Sequence, residues 1–241
     1  MACCANRKHY YSHKDKIVLL SNHGRPLTIT KELIEEISKH KIVETANSFN
    51  QQFIVNSRKR RRDDSFFEKI KKFIGFIEDE QEIGLPEGIE ELNLGYVFNK
   101  PIDNLPSTIK KIKFGKDFNQ LIDKLPQNVQ KIKFEYKGVF NQPIDNLPSN
   151  LEFLELSTSF NHPLQKLPNS LKYLRIGREF DQDLDNLPDS IEKLVLPNSY
   201  LREIKKFPMN LKQIVVSRDY PFEIPDHIQK KQTITIKFYK N

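Results

Sequence analysis

The sequence is poor in the residues that build disulfide-stabilised domains and nucleotide sites. It has no tryptophan, two cysteines and eight glycines in 241 residues, and it contains no glycine-rich phosphate loop and no G-x-S-x-G motif. Cys3 and Cys4 are adjacent near the N-terminus, so no disulfide framework can span the fold, which favours a reducing compartment. We therefore predict a chain that is not an enzyme, with no catalytic residues and no cofactor.

Long apolar runs are also missing. No segment approaches the ~20 apolar residues that cross a bilayer, and the first residues lack the apolar stretch of a signal peptide. We expect an intracellular, cytoplasmic protein with no membrane partner and no small-molecule substrate. The formal charge of +7, from 39 basic and 32 acidic residues, indicates a moderate preference for acidic partners. It is not the strong basic excess of a dedicated nucleic-acid binder.

A zinc site near the N-terminus is the one metal hypothesis that the sequence offers. Cys3, Cys4, His9 and His13 are potential ligands, and two histidines separated by three residues occur in zinc sites. Adjacent cysteines without the usual two-residue gap argue against a closed tetrahedral site. We favour a frayed terminus and predict no metal.

What the sequence does contain is a tandem repeat. A Leu-Pro step recurs at positions 85, 105, 125, 147, 167 and 187, and Phe207-Pro208 is a seventh copy. The spacing is 20 residues except for 22 between Leu125 and Leu147. The two additional residues fall just before Phe140, which predicts a longer loop after a strand. A repeat array tolerates such an insertion because each repeat contacts only its neighbours.

Each copy has apolar residues at fixed offsets, in the pattern L-x-x-L-x-L followed by an aromatic residue. The alternation predicts a short strand with one buried face, to which Leu92 and Leu94 contribute in the first copy. Such a strand cannot bury its face alone, but stacked copies form a parallel sheet. The segment from Gln232 to Phe238 alternates in the same phase and predicts a strand of an eighth copy.

The second half of each copy is too short and too rich in proline and asparagine for an α-helix, so it predicts turns and extended chain. One turn position holds asparagine in four copies, at Asn99, Asn119, Asn141 and Asn161. We assign these residues a structural role, as buried polar side chains that bond to backbone groups of their own and the adjacent coil.

The segments Phe98-Asn99-Lys100-Pro101-Ile102 and Phe140-Asn141-Gln142-Pro143-Ile144 resemble the FNIP repeat, a relative of the leucine-rich repeat in amoebae and in the giant viruses that infect them. The resemblance implies a mostly β, leucine-rich-repeat-like solenoid over residues 85–241, built on a parallel sheet of short strands. Tyr200-Leu201 and Tyr220-Pro221 replace Phe-Asn in the last two coils. We expect those coils to be less regular, as capping repeats usually are.

Residues 1–55 are predicted to form a small α+β region. The segments 16–21 and 26–30 favour two strands around a tight turn, and residues 31–40 favour a helix that begins after Thr30. This order resembles the opening of the BTB/Skp1 fold, while the stretch from Pro26 to Ile42 resembles a degenerate F-box. Proteins with FNIP repeats often carry such ubiquitin-ligase adaptor modules, so either resemblance implies an adaptor role.

Residues 56–64 predict a charged linker, and residues 65–84 predict a helix. The run Arg58–Arg62 is also the basis of an alternative, nuclear import or nucleic-acid association. Ser65 and Glu68 match a capping box at the start of an amphipathic helix that ends just before the first repeat. We predict that this helix covers the apolar end of the solenoid.

The outward positions of the predicted strands form two columns. The first is Glu91, Lys111, Lys131, Phe153, Tyr173, Lys193 and Gln213, and the second is Asn93, Lys113, Lys133, Glu155, Arg175, Val195 and Val215. Like charges side by side mildly destabilise a sheet, so folding alone does not explain four clustered lysines.

These columns predict a binding surface for an acidic protein that also offers an apolar anchor. It consists of Lys111, Lys113, Lys131, Lys133, Phe153, Tyr173 and Arg175. One alternative is that lysines simply cover the exposed faces of a lysine-rich chain. The other is a nucleic-acid partner, held by Arg58–Arg62 and the lysines of the repeats.

Overall fold

The computed structural model describes residues 10–13, 16–19, 42–45, 88–103, 105–225 and 235–238. The strands of these residues form one eleven-stranded sheet, in which spatial order follows chain order. They are β1 Tyr10–His13, β2 Lys16–Leu19, β3 Ile42–Thr45, β4 Glu91–Asn93, β5 Lys111–Phe114, β6 Lys131–Phe134, β7 Phe153–Glu155, β8 Tyr173–Arg175, β9 Lys193–Val195, β10 Gln213–Val216 and β11 Thr235–Phe238. Within the described ranges, no helix is long and apolar enough to cross a membrane.

Strands β4 to β10 each belong to one copy of the repeat, which confirms the predicted mostly β repeat solenoid. Their pairing is parallel, and equivalent residues face each other: Leu92 pairs with Ile112, and Ile132 pairs with Leu154 across the longer copy. Strand β11 pairs with β10 in the same sense, as predicted for an eighth copy. The sequence period therefore sets the register of the sheet, because each coil repeats the path of the one before.

One continuous core lies behind this sheet. The central inward residue of each strand from β4 to β10 is at most 1% exposed, and an aromatic residue follows each strand from β4 to β9 at the back of the core. Successive rings of this aromatic row are 6.1 to 6.4 Å apart between centroids. Its members are Phe98, Phe118, Phe140, Phe160, Phe180 and Tyr200. Each ring fills the space between two coils, so each repeat is stabilised mainly by its neighbours.

The turns that follow β5 and β8 lie very close to the turns of the preceding coils. A Cβ atom at Gly115 would overlap the carbonyl of Gly95, which is the equivalent residue one coil earlier. In the longer copy, β6 ends at Phe134 and the extra residues form a loop, as predicted. Within it, the Gly138 amide donates to the Glu135 carbonyl at 2.9 Å and the Val139 amide donates to the Lys116 carbonyl at 2.9 Å. We call residues 135–139 the insertion loop.

The described N-terminal strands continue the sheet of the solenoid. Strand β3 pairs in parallel with β4, with Val43 opposite Leu92, and β2 pairs in parallel with β3. The predicted strand over 16–21 is present as β2, but β1 and β3 were not predicted. Because His13 ends β1 and pairs with Lys16, the expectation of a frayed terminus is wrong for residues 10–13.

Several N-terminal predictions lie outside the described residues. They are the strand over 26–30, the helix over 31–40, the linker over 56–64 and the capping helix over 65–84. Strand β3 pairs with the edge of β4 that lies toward the N-terminal part of the chain. The sheet therefore continues with another strand at this end of the repeats. A neighbouring strand satisfies the backbone groups that an open edge would leave unpaired.

Candidate binding surface

The predicted surface residues lie together on four adjacent strands, β5 to β8. Lys111 pairs with Lys131, Lys131 with Phe153, and Phe153 with Tyr173. The second column runs beside the first in the same register, through Lys113, Lys133, Glu155 and Arg175. We call this side of β4–β9, opposite to the core, the outward face.

The four lysines are not an uncompensated cluster. Lys111 Nζ lies 2.6 Å from Glu91 Oε1, and Lys133 Nζ lies 2.7 Å from Glu155 Oε2. Lys113 Nζ lies 3.7 Å from Glu135 Oε2. The expectation that folding gives no reason for these lysines is therefore wrong, because carboxylates neutralise three of them. Opposite charges on neighbouring strands stabilise a sheet modestly.

An aromatic pair forms the centre of the outward face. The rings of Phe153 and Tyr173 stack with centroids 4.2 Å apart and planes 4° from parallel. Lys131 Nζ lies 4.1 Å from the centroid of Phe153, and Lys193 Nζ lies 5.3 Å from that of Tyr173. The result is a row of two half-buried rings with a cation at each end, held by cation–π attraction. The predicted site left out Lys193, although it lies in the same column.

Glu155 is a buried carboxylate beside this row, in the second column. Glu155 is 8% exposed. The Tyr173 hydroxyl donates to Glu155 Oε1 at 3.3 Å, and Lys133 contacts Glu155 Oε2. Burying a carboxylate is costly unless charged and hydrogen-bonding partners surround it. Both oxygens of Glu155 therefore have partners, which fixes the orientations of Lys133 and Tyr173.

A cleft of about 270 Å³ opens beside the second column. On its walls, the guanidinium carbon of Arg175 lies 5.0 Å from the ring centroid of Tyr136, in the insertion loop. The lining residues are Lys113, Lys133, Phe134, Glu135, Tyr136, Glu155, Leu156 and Arg175. Glu135 and Tyr136 were not predicted as site residues. The one available signal was the 22-residue spacing of that copy.

The asparagines lie on the return legs, away from the outward face. Asn99 Oδ1 accepts from the Asn119 amide at 2.9 Å, Asn119 Oδ1 from the Asn141 amide at 2.8 Å, and Asn141 Oδ1 from the Asn161 amide at 3.0 Å. Each side chain thus satisfies a backbone group of the next coil. Asn99 and Asn119 are half-buried and the other two are exposed, so the expectation of buried side chains is wrong. The short return legs leave this edge open to solvent.

In the part of the chain that the structure describes, no group of three His, Cys, Asp or Glu residues is arranged to hold a metal ion. Cys3, Cys4 and His9 lie outside that part.

The outward face offers cations, stacked rings and paired carboxylates. Such groups can recognise a surface of complementary charge with an apolar side chain.

Comparison with known proteins agrees with the repeat. A model of the FNIP Repeat matches residues 80–117, 102–137, 118–159, 140–167 and 160–199. No curated protein matches the chain significantly. Among solved structures, the chain is similar to CroV588, a circular LRR protein, with 22% identity and a TM-score of 0.43. That alignment covers 95% of this chain but 44% of the other, so the chain spans less than half the length of CroV588.

The family matches and the coil geometry coincide. The overlapping matches run without a gap from residue 80 to residue 199, and strands β4 to β9 repeat in register through that range. The Phe-Asn turn that characterises the repeat supplies both the aromatic row and the asparagine hydrogen bonds between coils. The chain belongs to the FNIP-repeat family.

Proposed function

We propose that this chain is a non-catalytic protein-binding solenoid that holds an acidic partner on the outward face. Repeat solenoids of the leucine-rich-repeat kind are generally protein-interaction modules, because their stacked strands present an extended surface. The observation that carries the proposal is the stacked pair Phe153 and Tyr173, half-exposed between Lys131 and Lys193. Aromatic residues at the centre of a surface are typical of sites that dominate binding energy.

The charge of the outward face supports an acidic partner. It has six cations, Lys111, Lys113, Lys131, Lys133, Arg175 and Lys193, and three carboxylates, Glu91, Glu135 and Glu155. Three positive charges remain after pairing, and they surround the aromatic pair. Complementary charge of this kind contributes more to the rate and specificity of association than to affinity.

A nucleic-acid partner is the second candidate, and the ion pairs disfavour it. Binding along a phosphate backbone requires several unpaired cations, whose contacts release counterions. On the outward face, Lys111, Lys113 and Lys133 already contact carboxylates. The run Arg58–Arg62 lies outside the described residues. Binding that weakens steeply between low and high salt would favour the nucleic-acid candidate over the protein partner.

The experiment that tests the protein partner is affinity capture from native cell extract with two matched double variants. Phe153→Ala with Tyr173→Ala removes the aromatic pair. Leu121→Ala with Leu201→Ala removes apolar side chains that are 54% and 57% exposed on the return legs. We expect the first variant to lose capture about ten-fold or more and the second to retain it.

Thermal melts of both variants serve as the control for folding. Loss of the stacked pair should lower the free energy of unfolding by about 1 kcal/mol, in addition to the effect of the apolar area that is no longer buried. We therefore expect the first variant to remain folded but to melt at a lower temperature. Equal capture by wild type and the folded aromatic variant would refute the outward face as the binding site.

The adaptor role is a finer proposal about the N-terminal region, and it rests on the BTB/Skp1 and F-box resemblances. Leu33 and Ile34 lie on one face of the predicted helix over 31–40. We expect Leu33→Asp with Ile34→Asp to lose a ubiquitin-ligase component from the captured proteins while the acidic partner is retained. Capture without any such component, by wild type, would contradict the adaptor role.

A further inference from the structure

The cleft beside the insertion loop contains Arg175, whose guanidinium lies near the ring of Tyr136. From it we infer that the cleft is a receptor for one carboxylate group of the partner, bound by the guanidinium of Arg175. The inference rests on the proposed function, because it names the chemical group of an acidic protein that one part of the outward face recognises. The position of the cleft also sets how far that group lies from the partner's apolar anchor.

Arg175 is the cation of the cleft that no carboxylate neutralises. Its lateral neighbour in the sheet is Glu155, but the oxygens of Glu155 contact Lys133 and the Tyr173 hydroxyl. Lys113 contacts Glu135. Among the described residues, no carboxylate oxygen lies within 4.0 Å of the Arg175 guanidinium. An arginine in this state retains its N–H donors for a ligand.

The insertion loop orients the guanidinium. Tyr136, the second residue of the insertion loop, places its ring centroid 5.0 Å from the guanidinium carbon. A guanidinium that contacts a ring in this way keeps N–H edges that can donate in its own plane. Those edges match the two oxygens of a carboxylate, which favours a bidentate hydrogen bond.

The charge and size of the cleft fit a single carboxylate. Lys113, Lys133 and Arg175 face Glu135 and Glu155, so one positive charge is left within about 270 Å³. A longer polyanion would meet the two resident carboxylates. Nucleic acid would further require neighbouring free cations, which the pairing of Lys113 and Lys133 removes.

The cleft lies beside the aromatic pair, which fixes the spacing that a partner must have. Arg175 and Tyr173 are two residues apart on β8 and lie on the same face, so their Cα atoms are about 7 Å apart. An extended peptide with an apolar residue and an acidic residue at positions i and i+2 has the same spacing. The expected recognition element is therefore an apolar residue with an acidic residue two positions away.

The test is titration of the full chain with a pair of blocked hexapeptides, Gly-Phe-Gly-Glu-Gly-Gly and its Gln counterpart. Binding is followed by NMR through the Nε–Hε resonance of Arg175. We expect the Glu peptide to shift this resonance and to bind about ten-fold more tightly than the Gln peptide, because a charge-assisted bidentate bond is lost in the latter. The Arg175→Gln variant, followed through backbone amides, should lose that preference.

Two further variants separate fork geometry from charge. Arg175→Lys keeps the charge but removes the planar fork, and we expect it to bind the Glu peptide about five-fold more weakly. It also preserves the test if Arg175→Gln fails to fold. Arg218→Gln makes the same charge change at an exposed residue two coils away, and binding should be unchanged.

Several outcomes would overturn the inference. They are equal affinity for the Glu and Gln peptides, no binding of either peptide by wild type, or wild-type affinity in Arg175→Lys. Binding of a thymidine oligonucleotide that Arg175→Gln abolishes would replace the carboxylate by a phosphate. If Phe153→Ala with Tyr173→Ala abolishes peptide binding but Arg175→Gln does not, the cleft is refuted and the proposed outward face stands.

Discussion

The middle coils and the last coils of the solenoid connect to their neighbours in different ways. In the middle coils, the phenylalanine rings of the Phe-Asn turns stack on one another, and each asparagine side chain accepts a hydrogen bond from the backbone of the following coil. In the last coils, the Tyr200 hydroxyl donates to the Gln182 carbonyl at 3.2 Å and the Tyr220 hydroxyl donates to the Arg202 carbonyl at 2.8 Å. Arg202 Nε lies 2.6 Å from Asp181 Oδ1. Tyrosine and arginine thus replace the asparagine connection.

The sheet is the same in both regions. Leu194 pairs with Ile214, and Ile214 pairs with Ile236, in unbroken parallel register. The expectation that the last two coils would be less regular is therefore wrong for the strands, and among the described residues the difference lies in the return legs. Inward residues at fixed offsets suffice to set the register, while the turn chemistry can vary.

The largest expected effect is on the aromatic row of the middle coils. Phe140 is 1% exposed and its ring centroid lies 3.9 Å from that of Phe134. We expect Phe140→Ala to cost about 3–5 kcal/mol of unfolding free energy, as for other buried large-to-small changes. Tyr220→Ala, at a half-buried ring of the last coils, should cost about 1–2 kcal/mol. Denaturant melts measure both, and equal costs would show that the two regions are equally packed.

A smaller effect should separate the two kinds of connection between coils. Asn141→Ala removes the acceptor of the Asn161 amide, and we expect a loss of about 1 kcal/mol. Arg202→Ala removes only an exposed ion pair with Asp181 and Asp183, so its melting temperature should fall less. A larger fall for Arg202→Ala would mean that the last coils depend on charge rather than on their hydroxyl bonds.

The smallest expected effect is a change in the free energy of unfolding at alkaline pH, caused by Tyr200 in the last coils. Burial of the Tyr200 ring raises the pKa of its hydroxyl above the usual value of about 10, because the phenolate is poorly solvated there. A raised folded pKa means that this contribution to stability is complete below pH ~10 and is lost as pH rises further.

Tyr200→Phe tests this dependence. Near pH 8 the variant should be about 1 kcal/mol less stable than wild type, because the Gln182 carbonyl loses its donor. The deficit should shrink between pH 9 and 11, since the variant has no hydroxyl to ionise at this position. Denaturant melts across this range measure it, and a deficit that is constant with pH would contradict the assignment.

The sequence predicted the repeat well because inward residues recur at a fixed period. Leu92 and its equivalents have the same neighbours in every coil, so one pattern determines the register of the whole sheet. The outward columns followed from the same alternation. The columns also placed Glu91 beside Lys111 and Glu155 beside Lys133. The third ion pair was not predictable, because Glu135 reaches Lys113 from a loop that breaks the period, and no periodic argument places a loop side chain. Strand β3 was missed since its segment, Ile42–Thr45, precedes the first recognisable repeat.

Binding of the partner on the outward face can be mapped by hydrogen exchange of the chain with and without its captured partner. If the partner binds there, amide exchange should slow in the insertion loop and in residues 153–158, with no change in the return legs over residues 119–124 and 161–166. Slower exchange confined to the return legs, with the insertion loop unaffected, would contradict it.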